Sequence, residues 1–243
     1  MRLATVDEIR LDATGIRGDR RFYLVDDTGA LVNAKRMPGL LAVRPVVDDG
    51  RLLLRFPDGS TVEGDVRASE ERIETSFYGR SVTGRIVDGP WSEALSELLR
   101  RPVRVAQTER EGDGYDRGAA AGASLVSTGS LEALRRAAGG MHPVDGRRFR
   151  MTIGIDSVEP HVEDTWIGSR VRVGGAVVLV RDNVGRCSVT TRDPDTGVRD
   201  LDTLAVIGAY RADVPTGEPL PFGVWCEVVE PGTVAVGDPV EPG

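Results

Sequence analysis

The segment Gly185-Arg186-Cys187-Ser188-Val189-Thr190-Thr191-Arg192-Asp193-Pro194-Asp195-Thr196-Gly197 sets one of the chain's two cysteines between a strand-like run and a polar turn. Thiolate is the form of cysteine that attacks electrophiles and binds metals, and the guanidinium of Arg186 next door favours it. The turn has the ingredients of preorganisation. Pro194 fixes its own φ, Asp193 and Asp195 can bond nearby backbone, and Gly197 is free to take positive φ. Read alone, a single cysteine fits an inert packing residue as well as a ligand.

Positioning such a loop requires a rigid scaffold, and the flanking sequence supplies strands. Val171-Arg172-Val173 and Ala176-Val177-Val178-Leu179-Val180 are β-branched runs broken at Gly174-Gly175, which predicts two strand segments with Cys187 in a loop after them. Earlier in the chain, Arg21–Val25, Leu41–Val47 and Arg51–Phe56 read as short strands, with Asp49-Gly50 and Asp58-Gly59 as turn signals. Trp91, Leu95, Leu98 and Leu99 fall at helical spacing after Gly89-Pro90, and residues 130–138 give a second helix stopped by Gly139-Gly140. Between the helices runs a polar, Gly-rich loop over residues 109–118, followed by Ala119–Ala123, which shows no periodic pattern. Strands resume after Arg150 and finish with 223–229 and 234–236 around Glu230-Pro231-Gly232. The expectation is a mainly β protein with helical decorations: a smaller antiparallel β domain over 1–108, then a β-barrel domain over 109–243.

Composition excludes several function classes. With 40% hydrophobic residues, 243 residues can bury a core. A net charge of −7 argues against nucleic acid as the ligand, because phosphate binding needs a basic footprint. Two cysteines cannot build an iron–sulfur cluster or a four-thiolate zinc site alone. Lys35, the only lysine, lies in a Lys-Arg-Met-Pro turn, which argues against pyridoxal-phosphate chemistry. No apolar run has membrane-spanning length and the N-terminus has no signal-like stretch, so no membrane association and a cytoplasmic location are expected. His142 and His161 are far apart and read as loop residues; Cys226 alternates with apolar neighbours and reads as core.

Taken together, Arg148-Phe149-Arg150, Glu163-Asp164-Thr165-Trp166, the Cys187 segment, Leu204 through Arg211 and Pro231 through Val240 resemble the MOSC domain in sequence and order. Gly15 through Phe22 resembles the start of the β-barrel domain that precedes it in one branch of that family. The resemblance implies a molybdenum cofactor with Cys187 as metal ligand, and Arg20, Arg150 and Arg186 gripping the pterin and its phosphate. Thr152, Gly185 and Trp225 stand at further cofactor-binding positions, where the family more often has Asn, Ser and a phenol; Ala120 and Ala121 replace polar residues. The Pro-Val-Lys-Ser strand with which members usually begin has no counterpart before Val6. The implied activity is reduction of a small N-hydroxylated or N-oxide-type substrate. Asp193 would help deliver protons, and electrons would come from a separate ferredoxin-like, flavin or haem protein. Two alternatives share the fold: a sulfur carrier holding a persulfide on Cys187, and a module that binds the cofactor without catalysis.

Overall fold

The computed structural model describes residues 1–115, 117–140 and 142–243; Asp116, within the polar loop read from the sequence, and Met141 lie outside them. Two compact units form. The first comprises Met1–Ala4, Gly18–Asp116 and Pro194–Val198, the second Thr5–Arg17, Arg117–Asp193 and Arg199–Gly243. Residues 5–17 go with the second unit because Glu8–Asp12 pairs antiparallel with Gly232–Ala235 near the other end of the chain.

The first unit is antiparallel β with one helix. A five-stranded sheet runs in the spatial order Leu31–Val32, Phe22–Val25, Arg104–Thr108, Arg80–Asp88, Arg67–Phe77. A meander of Arg44–Asp48, Arg51–Arg55 and Thr61–Asp65 turns at Asp49-Gly50 and Asp58-Gly59, the two hairpin signals. The helix Trp91–Leu99 buries Trp91 and Leu95 completely against Leu52, Leu54, Val103 and Val105. Its indole also donates to the Leu52 carbonyl at 2.9 Å, so the one polar atom of the largest core residue is satisfied. Residues 41–42, expected as strand, fall instead in a short 3₁₀ turn, Pro38–Ala42, begun by Pro38 at a position where proline's missing N–H costs nothing.

The second unit is built on a six-stranded sheet in the order Ile153–Ile155, Ala123–Ser127, Pro221–Glu230, Ala176–Gly185, Arg170–Val173, Val240–Pro242. Ala123–Ser127 and Ile153–Ile155 are parallel, and the helix Thr128–Ala137 lies in the connection between them. Ser127 caps that helix, its hydroxyl accepting from the Ser130 N–H at 3.1 Å. One core gathers Leu125, Val171, Val178, Val180, Val224 and Cys226; another packs Phe149, Leu134, Ile207 and Phe222 around a stacked Phe149–Phe222 pair. The Ala176–Gly185 strand meets its neighbour with register irregularities between Val180 and Asp182 and between Asn183 and Gly185. Such irregularities bend a strand and re-aim the chain beyond it. Here that chain carries Cys187, two residues past the strand end.

Candidate functional site

Cys187 is exposed, whereas Cys226 is fully buried and its thiol is pushed far up by desolvation. The two cysteines therefore divide by burial, Cys187 on an exposed loop and Cys226 in the core. Cys187 occupies the extended position ahead of a 3₁₀ turn, Ser188–Thr191. Its carbonyl accepts from both the N–H and the hydroxyl of Thr190, at 3.1 and 3.0 Å, and the Thr190 hydroxyl meets that of Thr203 at 2.7 Å in the interior. The exposed thiol is thus carried on backbone that the two threonines pin.

Arg186 points the other way. Only 9% exposed, it donates from Nε to the Phe222 carbonyl at 2.8 Å, from Nη1 to the Phe149 carbonyl at 3.0 Å, and from Nη2 to the Met151 sulfur at 2.9 Å. Gly223, at φ +71°, makes this possible: a Cβ there would lie 2.7 Å from the Met151 methyl and 2.8 Å from the Leu125 carbonyl. Among the described residues no carboxylate pairs with Arg186. Burial, with Arg117 adding to it and Cys187 opposing it, lowers the pKa of the guanidinium to about 9. The interior behind the Cys187 loop is thus a cationic place with neutral walls.

The other expected residues of this unit are distributed over the sheet strands and the turns and loops beside them. Gly185 lies where a Cβ would sit 2.8 Å from a Glu218 carboxylate oxygen and 3.0 Å from the Pro219 carbonyl, and the Arg186 N–H donates to that same carbonyl. Trp225 pairs in register with Ser124 on one side and Asp182 on the other. Its Nε1 is buried without a partner among the described residues, and Arg117 lies over its ring at 5.4 Å while bonding Glu218 at 2.7 Å. Thr152 is tied to Ser124, its N–H donating to the Ser124 hydroxyl at 2.9 Å and the two hydroxyls lying 3.1 Å apart. Arg150 follows Phe149 in left-handed backbone, φ +55°. Asp193, half-buried, is further along the Cys187 loop, and Ala120 and Ala121 form a 3₁₀ turn ahead of the Ala123–Ser127 strand.

Arg20 belongs to the first unit. It too is left-handed, φ +53°, with its guanidinium 4.8 Å from the Tyr115 ring centre. Gly114 is obligatory beside it, because a Cβ would fall 1.8 Å from the Arg20 carbonyl oxygen.

Sequence reasoning missed Arg148, Arg117, Glu218 and Ser124 as parts of this neighbourhood. Arg148 was visible only as a member of an Arg-Phe-Arg run; the others carry no local signal, since strand register sets Ser124 against Trp225 and an ion pair joins Arg117 to Glu218. Glu163 and Asp164 serve the fold. The first is completely buried and accepts from Ser130 at 2.7 Å; the second bonds Asn183 at 2.7 Å and Arg211 at 2.5 Å.

Known proteins share this sequence pattern. Residues 115–241 match the family model described as MOSC domain, and residues 1–102 the one described as MOSC N-terminal beta barrel domain. The chain is 26% identical to mitochondrial amidoxime-reducing component 1 of Mus musculus, over 97% of this chain and 76% of that protein. It is 25% identical to the Danio rerio protein of the same name, over 91% and 73%. It is 30% identical to the molybdenum cofactor sulfurase of Anopheles gambiae, over 81% of this chain but 29% of that much longer protein.

Proposed function

Since the chain belongs to the MOSC family, with that family's N-terminal barrel domain ahead of the MOSC domain, we propose that it binds a molybdenum cofactor through Cys187 and works as an oxidoreductase. The residues suit that group in three ways. Cys187 offers an exposed soft sulfur donor, the type molybdenum accepts beside dithiolene sulfurs. Arg186 supplies buried positive charge that no carboxylate among the described residues neutralises, which favours an anionic occupant nearby. The Trp225 indole N–H is a buried donor with no acceptor among those residues.

When bound, such a cofactor supplies a redox centre for removing oxygen from a small N-hydroxylated or N-oxide-type compound, the electron pair coming from a separate donor protein and the oxygen leaving as water. Everything else falls to this chain's own side chains. Cys187 would anchor the group, and its pinned carbonyl fixes the backbone from which the sulfur projects. Arg186 sets the base of the loop through the Phe149 and Phe222 carbonyls, and its charge balances the anionic ligand through space. By the family resemblance, Arg150 and Arg20, each in left-handed backbone, would supply forked bonds to phosphate or pterin oxygen. Asp193 holds or passes a proton at its carboxylate. Electrons need an outside donor, a ferredoxin-like, flavin or haem protein, because two cysteines furnish no cluster of their own. Among the described residues no helix is long and apolar enough to cross a membrane; the reading places the protein in the cytoplasm.

The exposed Cys187 is the observation that carries this reading. Its test is molybdenum content of cofactor-competent preparations, wild type against Cys187→Ser. The wild type should hold molybdenum and the variant should lose roughly ten- to a hundredfold or more in affinity, the range seen when even outer partners of a metal are removed. A wild type without molybdenum, whose Cys187 instead gains the mass of one sulfur from a cysteine desulfurase, would replace this reading with the sulfur carrier. Molybdenum without reduction of any N-hydroxylated compound would leave the non-catalytic module.

A further inference from the structure

Arg148 is one of the most enclosed charges in the second unit, its side chain 5% exposed. Nη1 lies 3.0 Å from the Thr190 carbonyl, 3.1 Å from the Arg192 carbonyl and 3.1 Å from one oxygen of Asp200, while Nη2 reaches the other Asp200 oxygen at 2.9 Å. All four acceptors belong to the chain beyond Cys187. Thr190 is the residue whose N–H and hydroxyl both hold the Cys187 carbonyl, so Arg148 stands one residue removed from the backbone that carries the thiol. Asp200 closes the arrangement from the far side, its N–H donating to the Thr191 carbonyl at 3.2 Å, next to the Arg192–Arg199 bridge.

Arg186 holds the other end of the same stretch, and it too reaches the segment containing Arg148, through the Phe149 carbonyl. The short turn Gly146–Phe149 is therefore a common anchor. One guanidinium enters it from the Cys187 loop, and another leaves it to grip that loop further on. Burying a cation in this way is justified when its bonds fix a geometry, and a planar guanidinium can satisfy two carbonyls and a carboxylate at once where an ammonium cannot.

We propose that Arg148 is a positioning residue for Cys187, its fork across Thr190, Arg192 and Asp200 setting the turn that presents the sulfur. The clamp acts on the loop itself; where it also governs metal retention, it rests on the cofactor reading. Arg148→Gln removes the fork; Arg148→Lys returns the charge without the geometry; Asp200→Asn weakens the grip while leaving the arginine in place. Hydrogen exchange over residues 187–192 is measured for each protein, with the Ala176–Gly185 strand as internal reference. Arg148→Gln should lose about tenfold protection in the loop, the loss expected for a charge-assisted bond, with the strand unchanged. Arg148→Lys should recover part of it, and Asp200→Asn should fall between, carrying the test if Arg148→Gln does not fold.

Molybdenum content of the same samples should keep the same ranking. Unchanged exchange at 187–192 in a folded Arg148→Gln or Asp200→Asn protein overturns the proposal, as does a loss of protection equal in loop and strand. If the wild type binds no molybdenum the cofactor reading fails, and the clamp is judged on exchange alone.

Discussion

Two of the three arginines expected at the cofactor, Arg20 and Arg150, sit in left-handed backbone, which costs an L-residue about 1–2 kcal/mol that glycine would not pay. Strain of this kind persists where surroundings impose it, and at functional sites it holds a side chain where an easier conformation would not. A substitution that relieves it should separate stability from function. Arg150→Gly is expected to leave unfolding free energy within about 1 kcal/mol of the wild type, the conformational gain offsetting lost contacts, while molybdenum content drops. Chemical denaturation and metal analysis on one preparation check both halves, and a large stability loss would mean that Arg150 serves the fold. At this scale the sequence was informative for the two cysteines, placing Cys187 in a loop and Cys226 in the core from their immediate neighbours. It was silent on Arg148 and Asp200, 52 residues apart, because only the finished fold makes them partners.

Elements with a strong period or a turn signal were legible: the hairpins at Asp49-Gly50 and Asp58-Gly59, the strand break at Gly174-Gly175, and the helices beginning at Trp91 and Thr128. Others lacked the contrast that reading depends on. Arg67–Phe77 is mostly polar and exposed along an eleven-residue strand, so it shows little apolar alternation. Thr203–Tyr210 is apolar on every side, so it shows no helical face. The turn Ser188–Thr191 is shorter than any period. The strand Pro221–Glu230 depends instead on one glycine. Gly223→Ala would put a methyl against the Leu125 carbonyl in a backbone conformation alanine avoids, at a cost of about 2–4 kcal/mol, and would push the Arg186 guanidinium, 3.4 Å from that methyl, off the Phe222 carbonyl. Denaturant titration should show the loss; a shift under about 1 kcal/mol would mean that the strand absorbs the methyl by relaxing.

Over the whole molecule, a protonation equilibrium ties stability to pH. His161 stacks edge-on to Phe222 and meets the Tyr210 hydroxyl at 3.3 Å, with its Nδ1 buried and without a partner among the described residues. Burial first, then Arg211, lowers its pKa from 6.5 to about 4, Asp164 opposing. The unfolded chain thus binds a proton near pH 6.5 that the folded protein refuses until about pH 4. The stability this contributes is complete above the unfolded value and is lost as pH falls through that window. Allowing for partial solvent access, the loss should be about 2 kcal/mol. His161→Asn, which tolerates the same left-handed backbone and cannot titrate, should flatten that part of the pH profile; an unchanged slope would assign it to carboxylates instead.

The pairing of Glu8–Asp12 with Gly232–Ala235 also has a consequence for biosynthesis. During translation, Glu8–Asp12 can pair locally with Gly15–Ile16 but must wait for Gly232–Ala235, far along the chain, to cover its other edge, so this sheet closes only after the intervening strands have been made. For that interval a strand carrying Ile9 and Leu11 presents an open hydrogen-bonding edge, which makes the growing chain, more than the finished protein, the natural client of a chaperone.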